Sequence, residues 1–308
     1  MNILIIGGTG FIATHLIKRL MRNDRVEKIY VVARRVDSFM EDISSYKNVC
    51  IIMLSLDEYL SYFEVFNHHI DVLFHFTWQG IRGADRHNEE LQKQNYEYSQ
   101  AFIKELIKKN NGMMVFLSGS QSEYGKVENI IPVSEEMILP VTEIEPYGKY
   151  KKRLYDDLNE FLRDDSQTRL YNCRYISLYG MGDYNKSLVS IAIHALSQEN
   201  VLCLSSDCKN LWNYLYIEDA VEALEQMMKV GPSSGIYNFC SDETKPLKDF
   251  VEDMRTVLNS RTEIVYGTLK SNTNLNYSNK KLKSAIGWKP KYSFADGIKD
   301  MISKGEIK

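Results

Sequence analysis

Cysteine is scarce and unpatterned in this 308-residue chain. Cys50, Cys173, Cys203, Cys208 and Cys240 make an odd number, with no CxxC pair and no histidine at zinc-ligand spacing. A disulfide framework and a structural zinc site are thereby excluded, leaving reduced thiols and no metal as the expectation. Basic excess is missing as well: a formal net charge of −3 lacks the broad footprint of a nucleic-acid binder. No apolar run approaches the roughly 18 residues that span a bilayer, so no membrane partner is expected. The chain opens on a strand-like segment and not on the basic, apolar and small-residue succession of a signal peptide, which points to a cytoplasmic protein. Internal repeats and low-complexity stretches are absent. What remains is an ordinary globular composition, 44% hydrophobic and 26% charged, enough for one large domain or two coupled ones.

The stretch that organises the chain is Asn2 to Leu20, NILIIGGTGFIATHLIKRL. Its first five residues are an apolar run suited to a strand buried on both faces, broken at once by Gly7-Gly8-Thr9-Gly10. Ile12, Leu16 and Leu20 then recur at helical spacing. Strand, glycine turn and helix in this order form the context of a phosphate-binding glycine motif. Gly7 permits the tight turn, Gly10 lets backbone approach a pyrophosphate, and Ala13 is small enough for helix to pack on strand. An empty turn between strand and helix is the competing reading of the same residues.

Further strands are expected at Ile29–Ala33, Val49–Leu54, Asp71–Phe76 and Met113–Ser118. Helices are expected around Leu56–Phe66, from Asp85 to Lys108 as one long element, and from Pro146 to about Leu162. This alternation predicts an α/β fold, a doubly wound parallel Rossmann sheet with a smaller C-terminal substrate domain. The loops after Ile6, Ala33, Phe76 and Leu117 should line one crevice. Arg34-Arg35 follows the second strand, where an acidic residue would bind the ribose hydroxyl of NAD and an arginine the 2′-phosphate of NADP. The pair favours NADP(H), with NAD(H) open.

Two later segments carry chemistry. Ser118-Gly119-Ser120-Gln121-Ser122-Glu123-Tyr124-Gly125 is a hydroxyl-rich loop placed where a substrate would lie. Tyr147 and Lys151 stand four apart and share a helix face, and an ammonium near a phenol favours the phenolate.

The motifs GGTGFIA at 7–13, HFTW at 75–78, Asn95, SGSQSEYG at 118–125, PYGKYK at 146–151 and WNYLYIEDA at 212–220 occur in one order. Together they resemble the extended short-chain dehydrogenase/reductases of the NAD-dependent epimerase/dehydratase family, which act on nucleotide sugars. The resemblance covers nearly the whole chain. It implies a catalytic triad of Ser120, Tyr147 and Lys151, with Tyr147 the general acid and Lys151 also binding the nicotinamide ribose. It adds Phe11, Ile12, Phe76 and Thr77 to Gly7, Gly10, Arg34 and Arg35 as cofactor contacts, and gives Trp78, Gln121, Ser122 and Ser177 as substrate contacts. Asn95 is expected to be structural. A homodimer is implied, as is a division into residues 1–177 and 178–308 with the segment near 212–240 packing back on the first domain.

Departures from the family pattern narrow the activity. Gln121 and Ser122 replace the Asp-Glu pair of dehydratases, Ser177 replaces the asparagine of an Arg-Tyr-Phe-Asn run, and Trp212 occupies the position of an arginine. The Arg34-Arg35 pair, the SGSQSEYG loop and Trp78 look most like those of the 4-ketoreductases of deoxysugar nucleotides. An NAD-dependent 4-epimerase is the nearest alternative, and a non-catalytic NADP-sensing module the more distant one.

Overall fold

Ile3, Leu4, Ile5 and Ile6 are wholly shielded from water, as expected of a central strand covered on both faces. The computed structural model describes residues 1–126, 128, 131–137, 144–271 and 273–305. Its first half alternates β1 (Asn2–Ile6), α1 (Phe11–Leu20), β2 (Lys28–Ala33), α2 (Ser38–Ser44), β3 (Val49–Met53), α3 (Tyr62–Val65), β4 (Val72–His75), α4 (Glu89–Lys109), β5 (Met114–Ser120), α5 (Pro146–Phe161) and β6 (Arg169–Tyr175). The remainder contains β7 (Leu178–Tyr179), α6 (Leu188–Ser197), β8 (Leu202–Ser206), β9 (Leu211–Asn213), β10 (Leu215–Tyr216), α7 (Ile217–Val230), β11 (Gly235–Phe239), β12 (Thr244–Pro246), α8 (Leu247–Val257), β13 (Ile264–Leu269), α9 (Lys280–Ile286) and α10 (Phe294–Ser303).

Seven strands form one sheet in the order β3-β2-β1-β4-β5-β6-β11, with parallel pairing from β3 through β5. The expected doubly wound α/β architecture is present. Strand order reverses between β1 and β4, so the loops that leave these two strands open a crevice at the switch point. The glycine turn occupies one side of it and Phe76-Thr77-Trp78 the other.

Three elements differ from the sequence reading. Of the helix expected around Leu56–Phe66, Leu56–Ser61 is a 3₁₀ helix and only Tyr62–Val65 is α-helical. The helix expected to run unbroken from Asp85 is a 3₁₀ turn, Gly83–His87, followed by α4. The break falls at Asn88, whose side chain accepts from the Leu91 amide and caps the new helix. Strand β6 carries Asn172 and Arg174 in its buried interior, so it does not read as an apolar run.

Where the sequence suggests one cut after Ser177, contacts group the chain into two units of three segments each. The first takes Met1–Gly125, Leu139–Arg174 and Leu224–Tyr237, so residues from α7 and β11 return to the sheet. Its core joins Leu4, Ile6, Leu73 and Leu117 of the sheet with Phe102, Leu106, Leu154 and Leu158 of α4 and α5. The second unit takes Lys126–Ile138, Tyr175–Ala223 and Asn238–Lys308. Its core is aromatic, Tyr179, Tyr214, Phe250 and Phe294 meeting edge to face or tilted at centroid distances of 4.8 to 5.9 Å. All five cysteines are free. Among the described residues no helix is long and apolar enough to cross a membrane.

Gly148 shows how closely α5 sits on the loop after β5. A Cβ there would lie 2.2 Å from the Ser122 carbonyl oxygen, a backbone atom with little room to move. Alanine within a helix normally gains about 0.5–1 kcal/mol over glycine. Gly148→Ala is nevertheless expected to lose about 1–3 kcal/mol, because overpacking outweighs propensity. Thermal unfolding checks the sign: a lowered midpoint is expected, and an unchanged or raised one would mean that this contact yields freely.

Candidate active site

The glycine turn is held by backbone bonds. The amides of Gly7 and Gly8 both donate to the Val32 carbonyl at 3.0 Å, and that of Gly10 donates to the Gly7 carbonyl at 2.9 Å. Gly7 has φ +86°, and a Cβ on it would meet the Thr77 amide nitrogen at 2.8 Å, so both conformation and space require glycine. Gly10 is the N-cap of α1 and offers no side chain to the first amides of the helix. Those amides point where an anion would sit, and glycines keep the approach clear. The residues therefore fit the pyrophosphate of a dinucleotide.

A cleft of about 480 Å³ lies against this turn, lined among others by Gly7, Thr9, Gly10, Arg34, Phe76, Thr77 and Trp78. Phe11, Ile12 and Arg35 are not in its lining. The sequence reading missed Thr9, Leu54, Leu56 and Tyr59, which are. Burial raises the Tyr59 phenol, while the nearby Thr77 hydroxyl and the Arg34 charge pull the other way. Asn95, almost fully buried, exchanges two hydrogen bonds with the Gln79 backbone at 2.8 and 2.9 Å, tying down the loop after β4.

Ser120, Tyr147 and Lys151 come together. Ser120 ends β5 and opens a 3₁₀ turn, Gln121–Tyr124, in which its hydroxyl accepts from the Ser122 amide at 3.2 Å. Tyr147 and Lys151 lie one turn apart on the buried face of α5, the ammonium 5.3 Å from the phenol ring centroid. The Ser120 hydroxyl lies on the Tyr147 side of its 3₁₀ turn and pulls the phenol's pKa down. Lys151 Nζ donates to the Ser118 carbonyl at 2.5 Å and sits 4.4 Å from the Trp78 ring centroid. Trp78 in turn donates Nε1–H to Gln92 at 2.6 Å. Ser177 belongs to the second unit, where its carbonyl accepts from the Leu215 amide.

Two charged residues that the sequence reading did not single out organise this site. Glu123, 2% exposed, accepts from the Ser120 amide at 2.8 Å, from Asn172 Nδ2 at 2.7 Å and from Arg174 Nε at 2.9 Å. Its spacing from Ser120 is that of a capping box, a signal present in the sequence. Arg86, from the turn before α4, ion-pairs with Glu145, donates to the Ser122 hydroxyl at 2.6 Å and stacks 4.3 Å from the centroid of the Tyr147 ring.

Electrostatics follow from this crowding. Burial pushes the Tyr147 phenol up to about 12, against the Arg86 charge and the Ser120 hydroxyl that pull it down. Burial pushes the Lys151 ammonium down to about 8; Glu123 raises it and Arg86 lowers it further. His75, shut in at the end of β4, is driven down to about 3 by burial and by Lys151, and is neutral at physiological pH. A phenol, a hydroxyl and an ammonium held this way can pass a proton to an oxygen placed beside Tyr147.

Comparison with known proteins gives the family and the fold. The family model described as NAD dependent epimerase/dehydratase family matches residues 3–240. The chain belongs to that family and is an enzyme of the extended short-chain dehydrogenase/reductase type. It is 24% identical over 310 residues to a dTDP-4-dehydro-6-deoxyglucose reductase of Escherichia coli, covering 98% of this chain and 96% of that one. A dTDP-glucose 4,6-dehydratase of Bacillus anthracis, solved in complex with NAD, superposes with a TM-score of 0.83 at 20% identity, covering 99% of this chain and 96% of that one. The RMD protein of Pseudomonas aeruginosa, complexed with NADPH, gives 0.78 at 17%, covering 98% and 97%.

The lowered Lys151 value has a consequence for binding. Its charged form is present below about pH 8 and lost above it. If Lys151 contacts the nicotinamide ribose, NADPH affinity should fall as pH rises through about 8, and Lys151→Met should bind more weakly with no such fall. Calorimetric titration between pH 7 and 9.5 reads both. A wild-type affinity constant over that range would exclude the contact.

Proposed function

We propose that this enzyme reduces the ketone of a 4-keto deoxysugar nucleotide with NADP(H), Tyr147 supplying the proton. The observation that carries the reading is the state of the carboxylates around Tyr147. Glu123 is engaged by Arg174, Asn172 and the Ser120 amide, and Glu145 by Arg86. Elimination of water needs a carboxylate free to exchange a proton, and the positions that follow Ser120 hold Gln121 and Ser122. Reduction asks for one proton donor at the developing alkoxide, which Tyr147 provides. The near full-length match to a sugar-nucleotide reductase supports the substrate class.

In this mechanism the bound dinucleotide supplies the hydride. Gly7, Gly10 and the backbone at Phe11 and Ile12 receive the pyrophosphate on the amides of the α1 N-terminus. Phe76 and Thr77, on the other wall of the same cleft, would contact the dinucleotide. Arg34, exposed at the cleft edge, is suited to a 2′-phosphate, and Arg35 beside it adds charge. Trp78, Gln121 and Ser122 flank the reacting ketone, and the Ser120 hydroxyl hydrogen-bonds its oxygen. As the ketone becomes an alkoxide, the Tyr147 proton moves to it, and Lys151 stabilises the phenolate that remains.

The test is NADPH oxidation with dTDP-, UDP- and CDP-linked 4-keto-6-deoxyglucose. Tyr147→Phe is expected to lower kcat by about 10²–10⁴-fold with NADPH affinity unchanged. Run with NADH as well, Arg34→Ala should lose far more with NADPH than with NADH. Turnover of Tyr147→Phe near the wild-type rate would remove Tyr147 as proton donor. C4 epimerisation by the wild type without added NADPH would make the enzyme an epimerase.

A further inference from the structure

Two cations stand near the Tyr147 ring, and the nearer one is not the lysine of the triad. The Arg86 guanidinium stands 4.3 Å from the ring centroid, the Lys151 ammonium 5.3 Å. Arg86 is held there from two sides. Its Nε donates to Glu145 Oε2 at 3.1 Å while Nη2 donates to the other carboxylate oxygen, a two-point grip that fixes the plane of the fork. Nη2 also donates to the Ser122 hydroxyl. Glu145 precedes Pro146-Tyr147 in the chain, so the short segment that carries the phenol also carries the carboxylate that aims the guanidinium.

A guanidinium does not lose its proton at any pH the protein experiences, whereas Lys151 is pushed down to about 8. Lys151 also spends its ammonium on the Ser118 carbonyl and the face of Trp78. A permanent cation against the ring face favours phenolate over phenol, and it acts hardest where water is excluded. A salt bridge made only for stability would need the Glu145 contact alone. The ring stacking and the Ser122 bond go beyond that need and hold the charge, aimed by Glu145, against Tyr147.

We propose that Arg86 is a positioning residue for catalysis, a fixed cation which, aimed by Glu145, sets the acidity of Tyr147 together with Lys151. The inference rests on the reductase reading and deepens it. Among the described residues the charges that act on Tyr147 are Arg86 from the turn before α4, Glu123 after β5 and Glu145 at the start of α5, while Lys151 on α5 stands 5.3 Å from its ring centroid. His87 faces Glu145 at 3.8 Å. Arg86 lowers the Tyr147 value and the two glutamates raise it, so removing the guanidinium must raise it further.

The experiment compares wild type, Arg86→Met, Arg86→Lys, Glu145→Gln and Tyr147→Phe. Kinetics with NADPH and dTDP-4-keto-6-deoxyglucose are followed over pH, and circular dichroism confirms the fold. Arg86→Met is expected to lower kcat by about three- to tenfold with KM for NADPH unchanged, and to move the alkaline limb of kcat upward by about half a unit to one unit. Arg86→Lys, which keeps the charge and loses the fork, should recover part of the rate, and Glu145→Gln should resemble a weak Arg86→Met. A second readout needs no substrate. In protein labelled with [13Cζ]tyrosine, the Tyr147 signal, identified by its loss in Tyr147→Phe, should begin to titrate at a higher pH in Arg86→Met than in wild type. If Arg86→Met keeps the wild-type kcat and limb, or its Tyr147 signal follows the wild type at every pH, the proposal is overturned. In that case an inactive Tyr147→Phe would leave the reductase reading standing, whereas an active one would overturn that reading itself.

Discussion

The site depends on a carboxylate that water does not reach. Glu123 and Arg174 are 2% and 4% exposed, and their pair is completed by Asn172 and the Ser120 amide. Burying two charges is costly, and such a pair persists because each remaining polar site is satisfied. Removing one partner from a buried pair costs about 3–5 kcal/mol, most of it the penalty of the charge left behind. Here that penalty protects geometry: Glu123 joins the end of β5 to β6 and fixes the turn from which Ser120 reaches Tyr147. Gly119 belongs to the same contact, since a Cβ there would lie 2.2 Å from Asn172 Oδ1 and 2.9 Å from Glu123 Oε1.

From this anchor the arrangement builds outward. The sheet order puts the glycine turn and the loop after β4 on one crevice, and α5 carries Tyr147 and Lys151 on its buried face, Lys151 against the Trp78 ring that borders the crevice. Desolvation then works on both groups in opposite directions, making the phenol a weaker acid and the ammonium a stronger one. A site that leaned on Lys151 alone would lose its charge near pH 8. Arg86, stacked on the ring and gripped by Glu145, removes that weakness.

Much of this was legible in the sequence, for reasons that vary by element. β1 and the glycine turn were clear because a buried strand must be apolar and a positive φ beside close backbone must be glycine. Helical spacing put Tyr147 and Lys151 on one face, and their pairing with Ser120 was given by the resemblance to the family's motifs. β6 was not legible as a strand, since its buried Asn172 and Arg174 look like surface residues until their partner Glu123 is known. Glu123 itself was announced by the Ser120-to-Glu123 spacing of a capping box, a local cue that says nothing of Arg174. Arg86 could not be found at all: it sits in a polar run that reads as the start of α4, and only the break at Asn88 turns that run toward α5.

The reductase account makes one claim more directly testable than the rest, that hydrogen moves from the cofactor to the sugar with net consumption of the cofactor. The measurement is turnover of a 4-keto-6-deoxy sugar nucleotide with NADPH carrying deuterium on the transferring face of the nicotinamide, followed by mass spectrometry and NMR of the product. The account predicts one deuterium at C4 of the sugar and one NADPH oxidised per product formed. A product made with no net oxidation of NADPH, or one that carries no deuterium at C4, would contradict it.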